Sequence, residues 1–230
     1  MIVSKRKSFK ISDGYGNEFD FKNQINPRGH EMESTAIITR FSTGFKFENS
    51  KFPVIAKMLS PTDLIIIICE AFYHNLNVTS TLSFNELDEQ IKGFENIYKN
   101  KADCQNLIIE DDILDIEDYF KDNFSLLVYN NIKDAKFFEK ISTFITKIPP
   151  DEWKDVFSLF WNFNSQLTKL FGDLVEKTKQ LNFTDTLYLP IDAILRDKGT
   201  ILDVRRLDEI YSEFKGQDTD YSAMSDVPIF

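Results

Sequence analysis

Near residue 60 the spacing of apolar residues changes from two to about 3.6, so the two parts of the chain cannot share one secondary-structure type. Before that point, Phe9 and Ile11 alternate with polar neighbours, Asp13-Gly14-Tyr15-Gly16-Asn17 supplies turn chemistry, and Phe19 and Phe21 alternate again. That is the pattern of a β-hairpin with one buried face. Residues 22–35, which contain Pro27 and Gly29, read as a connecting loop. A second hairpin is predicted from residues 36–41, a turn at Ser42-Thr43-Gly44, and Phe45 and Phe47 at period two. Such a small antiparallel sheet needs a helix against its apolar face to be stable.

Beyond residue 60 the signals are helical. Ser60-Pro61-Thr62-Asp63 sets a cap, a first-turn proline and an early carboxylate in the order a helix start favours. The following run, residues 64–73, is apolar nearly all round, as a buried central helix would be. Ser83-Phe84-Asn85-Glu86 is a capping box with Leu82 and Leu87 as its staple, and Phe84, Leu87, Ile91, Phe94 and Tyr98 form one helical stripe. A third helix is predicted from Ile113, Ile116, Phe120, Phe124 and Leu127. A fourth, from Phe137, Ile141, Phe144 and Ile148, is stopped by Pro149-Pro150. The longest periodic segment follows: Val156, Phe160, Phe163, Leu167, Leu170, Leu174 and Leu181. Unbroken over residues 151–181 it would span roughly 45 Å, with Asn162, Asn164 and Gly172 as the positions where it would kink. A short helix is expected from Leu189-Pro190, and a last one from Leu207, Ile210, Tyr211 and Phe214, ended by Gly216.

The predicted fold is therefore α+β and predominantly α. A small N-terminal antiparallel sheet of two hairpins packs on a bundle of about six to seven helices, including one long helix near 151–181. The expected divisions are a β-rich region over 1–59, a helical body over 60–216 and an acidic tail over 217–230. The chain of 230 residues can bury a core of this size without covalent staples, and its 22 phenylalanines supply much of it.

Cys69 sits in an apolar run and Cys104 in a polar one, which is no disulfide framework. The basic residues at the start of the chain lead into no apolar h-region, and the most apolar stretch is far shorter than the roughly 20 residues of a membrane span. The expected location is cytoplasmic, without membrane contact.

Charge is unevenly divided. Residues 1–60 hold ten Lys/Arg against six Asp/Glu, a net +4; the remaining 17 basic and 31 acidic residues give −14, for a total of −10. A basic head on an acidic body bears on partners, not on fold.

No glycine-rich phosphate loop, serine nucleophile elbow or CxxC pair occurs, so no catalytic residue and no cofactor is predicted. The densest acidic run, Glu110-Asp111-Asp112 with Asp115, Glu117 and Asp118, lacks the glycine and alternation of a calcium loop. Carboxylates at a helix start are favoured by the macrodipole; those beyond it are free to face a basic partner. Lys5, Arg6, Lys7, Lys10 and Lys46, with Lys51 and Lys57, form a candidate basic patch on the head for nucleic acid. Glu70 and His74, four apart on a helix, have the spacing of two metal ligands, but the sequence identifies no third. The loop residues Arg28, His30, Glu31 and Glu33 gather titratable groups without partners at any known spacing. The aromatic stripe Trp153, Phe157, Phe160, Trp161 and Phe163 is wider than one face needs, and any ring left exposed would mark a binding surface.

The function favoured by the sequence is a non-enzymatic protein-binding protein: an inhibitor, immunity factor or complex subunit of bacterial or phage defence and counter-defence. It would dock a basic partner protein through an acidic helical surface. Two alternatives from other classes are a nucleic-acid-associated accessory protein acting through the basic head, and an enzyme with a dispersed, metal-dependent site at Glu70 and His74.

Overall fold

The computed structural model describes residues 10–12, 16–25, 54–76 and 82–189, together with Ile191 and Leu195. The chain divides into two compact units, Met1–Met58 with Thr186–Phe230, and Leu59–Asp185. The described residues are mostly helical, with small antiparallel strand pairs, as the change of period implies.

In the first unit, β1 (Lys10–Ser12) pairs with β2 (Glu18–Asp20) in the register Lys10↔Asp20, Ile11↔Phe19 and Ser12↔Glu18. This is the first of the expected hairpins. Gly16 in its turn has φ 101°, a conformation that L side chains rarely adopt. A π-helical turn, Phe21–Ile25, follows at once and takes Phe21 out of the alternation. The second expected hairpin, over residues 36–47, lies outside the described residues.

A second strand pair joins distant segments: β3 (Val54–Lys57) runs antiparallel to β4 (Thr186–Leu189), with Val54 opposite Leu189 and Lys57 opposite Thr186. Leu189 thus belongs to a strand, Ile191 is in a 3-10 turn, and the rest of the helix expected from Leu189-Pro190 lies outside the described residues. Tyr188 is the buried residue of β4. The helix expected at 207–216 and the tail 217–230 lie outside the described residues.

The second unit is built of helices around one continuous apolar cluster. Its first helix, α1 (Pro61–Glu70), starts as its sequence dictates: Ser60 accepts the Asp63 N–H, and the Asp63 carboxylate takes the Ser60 N–H at 2.8 Å. Leu64, Ile65, Ile68 and Cys69 are buried while Ile67 is exposed, so the helix has an outer edge. It continues as a π-helical turn, Ala71–Asn75. The capping box at Ser83 and Glu86 opens α2 (Phe84–Tyr98), which buries Leu87, Ile91 and Tyr98. Phe84, the first residue of that helix, lies outward and is exposed.

The third expected helix is two helices. α3 (Glu110–Asn123) buries Ile113, Ile116 and Phe120. The chain then turns extended at Phe124, and Ser125 accepts the Val128 N–H to cap α4 (Leu126–Asp134). Leu127, which the spacing placed on the α3 stripe, is exposed as a result. Next, α5 (Phe137–Ser142) packs against α2, α3 and α4.

The long helix expected over 151–181 is not continuous. A 3-10 turn (Pro150–Glu152) leads into α6 (Trp153–Phe157), and a second 3-10 turn (Ser158–Trp161) follows. Asn162 and Phe163 then take left-handed backbone, with φ 50° and 55°. Asn164 starts again as a cap, its side chain accepting the N–H groups of Gln166 and Leu167, and α7 (Ser165–Gln180) runs on through Gly172. The periodic pattern survives the break because it reports burial, not continuity. Residues 156–161 are all buried, which a one-sided surface helix could not achieve.

Phe160 is the meeting point of this core. Its ring contacts Phe120 and Phe137, each at 4.7 Å between centroids, Phe138 at 5.8 Å and Phe157 at 6.1 Å. Where the helical path ends at Asn162, carbonyls lose their partners along the chain. The Tyr73 hydroxyl donates to the Phe160 carbonyl at 2.7 Å, inside the core. Nearby, the Trp153 indole donates to the Ile148 carbonyl at 3.1 Å and the Trp161 indole to the Thr168 hydroxyl at 2.9 Å.

Removing the Tyr73 hydroxyl leaves that carbonyl buried without this donor. Tyr73→Phe is expected to lower the unfolding free energy by about 1–3 kcal/mol, the usual cost of an unsatisfied buried group. A urea titration followed by tryptophan fluorescence measures it. An unchanged midpoint would mean that water or a backbone shift replaces the bond.

Candidate functional site

The face of α3 turned away from the core gathers charge. Asp111, Asp115, Asp118 and Asp122 are all exposed, and their spacing of four, three and four residues puts them on one side of the helix. The buried residues Ile113, Ile116 and Phe120 occupy the opposite side. Among the described residues, none of these four aspartates forms an ion pair with a basic side chain. Leu114 is exposed on the same helix, and Leu126 and Leu127, which open α4, are 71% and 60% exposed.

The six carboxylates singled out from the sequence therefore separate by role. Asp111, Asp115 and Asp118 come together in the outward stripe, and Glu110 is exposed beside its start. Asp112 is engaged at the helix start: its carboxylate accepts the Ile109 N–H at 2.8 Å and the Thr62 hydroxyl at 3.3 Å. Glu117 is half-buried and accepts the Tyr129 hydroxyl at 3.2 Å. Asp122 lies outside the dense acidic run of residues 110–118. Its place eleven residues after Asp111 is a helical spacing the sequence already contained.

Local stability accounts for only part of this face. Glu110, Asp111 and Asp112 stand in the first turn, where the helix dipole favours negative charge. Asp118 and Asp122 stand in the second half of the helix, where the dipole disfavours it. Asp111 with Asp115, and Asp118 with Asp122, are like-charge pairs four residues apart and repel. Lys121 is the basic residue of the last turn.

Glu70 and His74 do approach each other, with 3.5 Å between His74 Nε2 and Glu70 Oε2. The Tyr119 hydroxyl donates to the other oxygen of Glu70, and the His74 ring lies against Phe124 at 5.3 Å. The second partner of Glu70 is thus a tyrosine. Among the described residues no group of three or more His, Cys, Asp or Glu is placed to hold a metal ion. Of the basic head, Lys10 and Lys57 are described and exposed: Lys57 ends β3, and Lys10 is joined to Glu18 at 2.7 Å, a hydrogen bond that raises its pKa. Lys5, Arg6, Lys7 and Lys46, and the loop residues 28–33, lie outside the described residues. No described helix is long and apolar enough to cross a membrane.

The Tyr119–Glu70 contact gives a pH signature. The hydrogen bond to the Glu70 carboxylate, with burial second, raises the Tyr119 phenol to about 12. A phenol of unfolded chain titrates near ~10, so this group's contribution to stability is complete below that pH and is lost as pH rises through the folded value. Tyrosinate absorbance in a rapid pH jump, taken as the difference between wild type and Tyr119→Phe, is expected to show a midpoint near 12. Glu70→Gln is expected to bring that midpoint down towards ~10, and a midpoint that stays put would remove Glu70 as the cause.

Residues 5–220 match the model of a family described as "Putative bacterial virulence factor". No curated protein and no solved structure matches the chain. Because the match takes in nearly the whole sequence, the chain belongs to that family of bacterial proteins.

Proposed function

We propose that this protein is a non-enzymatic binding protein whose acidic α3 face docks a basic partner protein. It would serve as an inhibitor, an immunity factor or a subunit of a complex, inside the bacterial cytoplasm. One observation carries the reading: Asp118 and Asp122 hold negative charge, unpaired among the described residues, where the helix dipole works against it. A helix placed only for stability gains nothing from that arrangement. A helix that meets a basic surface does, since complementary charge steers the encounter, fixes its register and rejects acidic competitors. Leu126 and Leu127, exposed at the start of the next helix, would add apolar area beside the charged stripe. The family description supplies a bacterial setting and no chemistry; the chemistry comes from the carboxylates.

Stability and binding should move in opposite directions, and the test uses that. In the double variant Asp118→Lys, Asp122→Lys, removing repulsion and answering the dipole are expected to leave the melting temperature unchanged or raised. Affinity for a basic partner recovered stoichiometrically from the native host is expected to fall at least about ten-fold, and wild-type affinity to fall with added salt. Calorimetry on the purified pair measures both. A partner that binds the double variant as tightly as the wild type, or binding indifferent to salt, would sink the reading.

A further inference from the structure

Two Asn-Phe pairs end helical stretches in the same way. Asn162 and Phe163 have φ 50° and 55°, and Asn182 and Phe183 have φ 54° and 52°. In each pair the Phe N–H donates to the carbonyl five residues back, at 2.8 Å: Phe163 to Ser158, and Phe183 to Thr178. Asparagine tolerates left-handed backbone, whereas for a bulky residue it is strained. Phe183 has a return for that strain, because its ring packs on Trp153 at 5.8 Å and joins the core. Phe163 has none of this kind. It is 42% exposed and makes no ring contact among the described residues.

Phe163 instead lines a cleft of about 610 Å³ beside α6 and α7, together with Phe94, Lys154, Asp155 and Lys169. The depression is open to solvent, so a ligand seated there would stay partly exposed. Lys154 and Lys169 form no ion pair among the described residues, and Asp155 is the carboxylate of the lining. The Lys154 stem lies over Gly172, where an added Cβ would come within 3.2 Å of its Cδ. Gly172 lies inside a helix, where glycine is unfavourable relative to alanine, and the space it leaves accommodates the lysine stem.

We propose that this cleft binds a small anionic ligand that carries an aromatic ring, of mononucleotide size. Its ring stacks against Phe163, with Phe94 as the further aromatic wall, and its anionic group is held by Lys154 and Lys169. The lining shares no residue with the acidic face of α3, so the two sites stand or fall separately.

Calorimetric titration of the full chain with adenosine 5′-monophosphate tests the proposal, with adenosine and inorganic phosphate as the two half-ligands. Saturable binding of the nucleotide is expected, at least about ten-fold tighter than either half. Two variants are expected to weaken it by about ten-fold or more while the melting temperature holds or rises. Lys154→Met with Lys169→Met removes the cations. Phe163→Gly removes the ring and relieves its backbone. The Asp118→Lys, Asp122→Lys protein is expected to bind the nucleotide as wild type does. Absence of saturable nucleotide binding overturns the proposal, as does binding that phosphate alone matches or that these two variants leave unchanged.

Discussion

The hydrogen bond from Tyr73 to the Phe160 carbonyl, inside a ring of aromatic side chains, is the constraint on which the helical unit turns. A chain that stops being helical deep in a core exposes carbonyls where water cannot reach them. Here the break at Asn162 is tolerated because a π-helical turn after α1 carries a tyrosine whose hydroxyl reaches the Phe160 carbonyl. The Asn162 side chain does similar service, accepting the Leu82 N–H at 3.1 Å just before α2. One irregular stretch is thereby tied to two other elements, and each tie satisfies a backbone group. Aromatic packing supplies the area; these bonds supply the registry.

Much of the helical unit was legible because its starts are written in short, local chemistry. Ser60-Pro61-Thr62-Asp63 and Ser83-Phe84-Asn85-Glu86 each close a reciprocal cap, and both do so as their residue types require. The breaks were harder. Ser125 opens α4 without a carboxylate three residues on, so the stripe Phe120, Phe124, Leu127 looked continuous. Asn162-Phe163 ends a helical path with neither glycine nor proline, and phenylalanine is the wrong residue from which to expect left-handed backbone. The pairing of Val54–Lys57 with Thr186–Leu189 was illegible for another reason. A strand's partner is fixed by tertiary packing, and no local pattern names a segment so distant in sequence.

The candidate surface divides along the same line. Acidic density between residues 110 and 118 was plain in the sequence, but density does not say which carboxylates are already engaged. Asp112 and Glu117 look equivalent to Asp111 and Asp115 until the Ile109 N–H and the Tyr129 hydroxyl are seen on them. Glu70 and His74 illustrate the reverse case. Helical spacing brought them within 3.5 Å, and the group that joins them, Tyr119, came from a different helix.

Four residues at the two candidate surfaces go against local stability: Asp118 and Asp122 in the second half of α3, the left-handed Phe163, and Gly172 within α7. Asp112, by contrast, completes a helix start, and Phe183 takes the same backbone as Phe163 but packs into the core. Sequences that specify one structure agree with it at nearly every level, and their departures concentrate where something other than folding is selected. Charge against a dipole, a strained ring facing outward, and a glycine lying under a lysine stem are departures of different kinds. Each leaves exposed a group that a ligand or partner can use, and that shared consequence is the physical reason to look for binding at these two surfaces and not in the aromatic core.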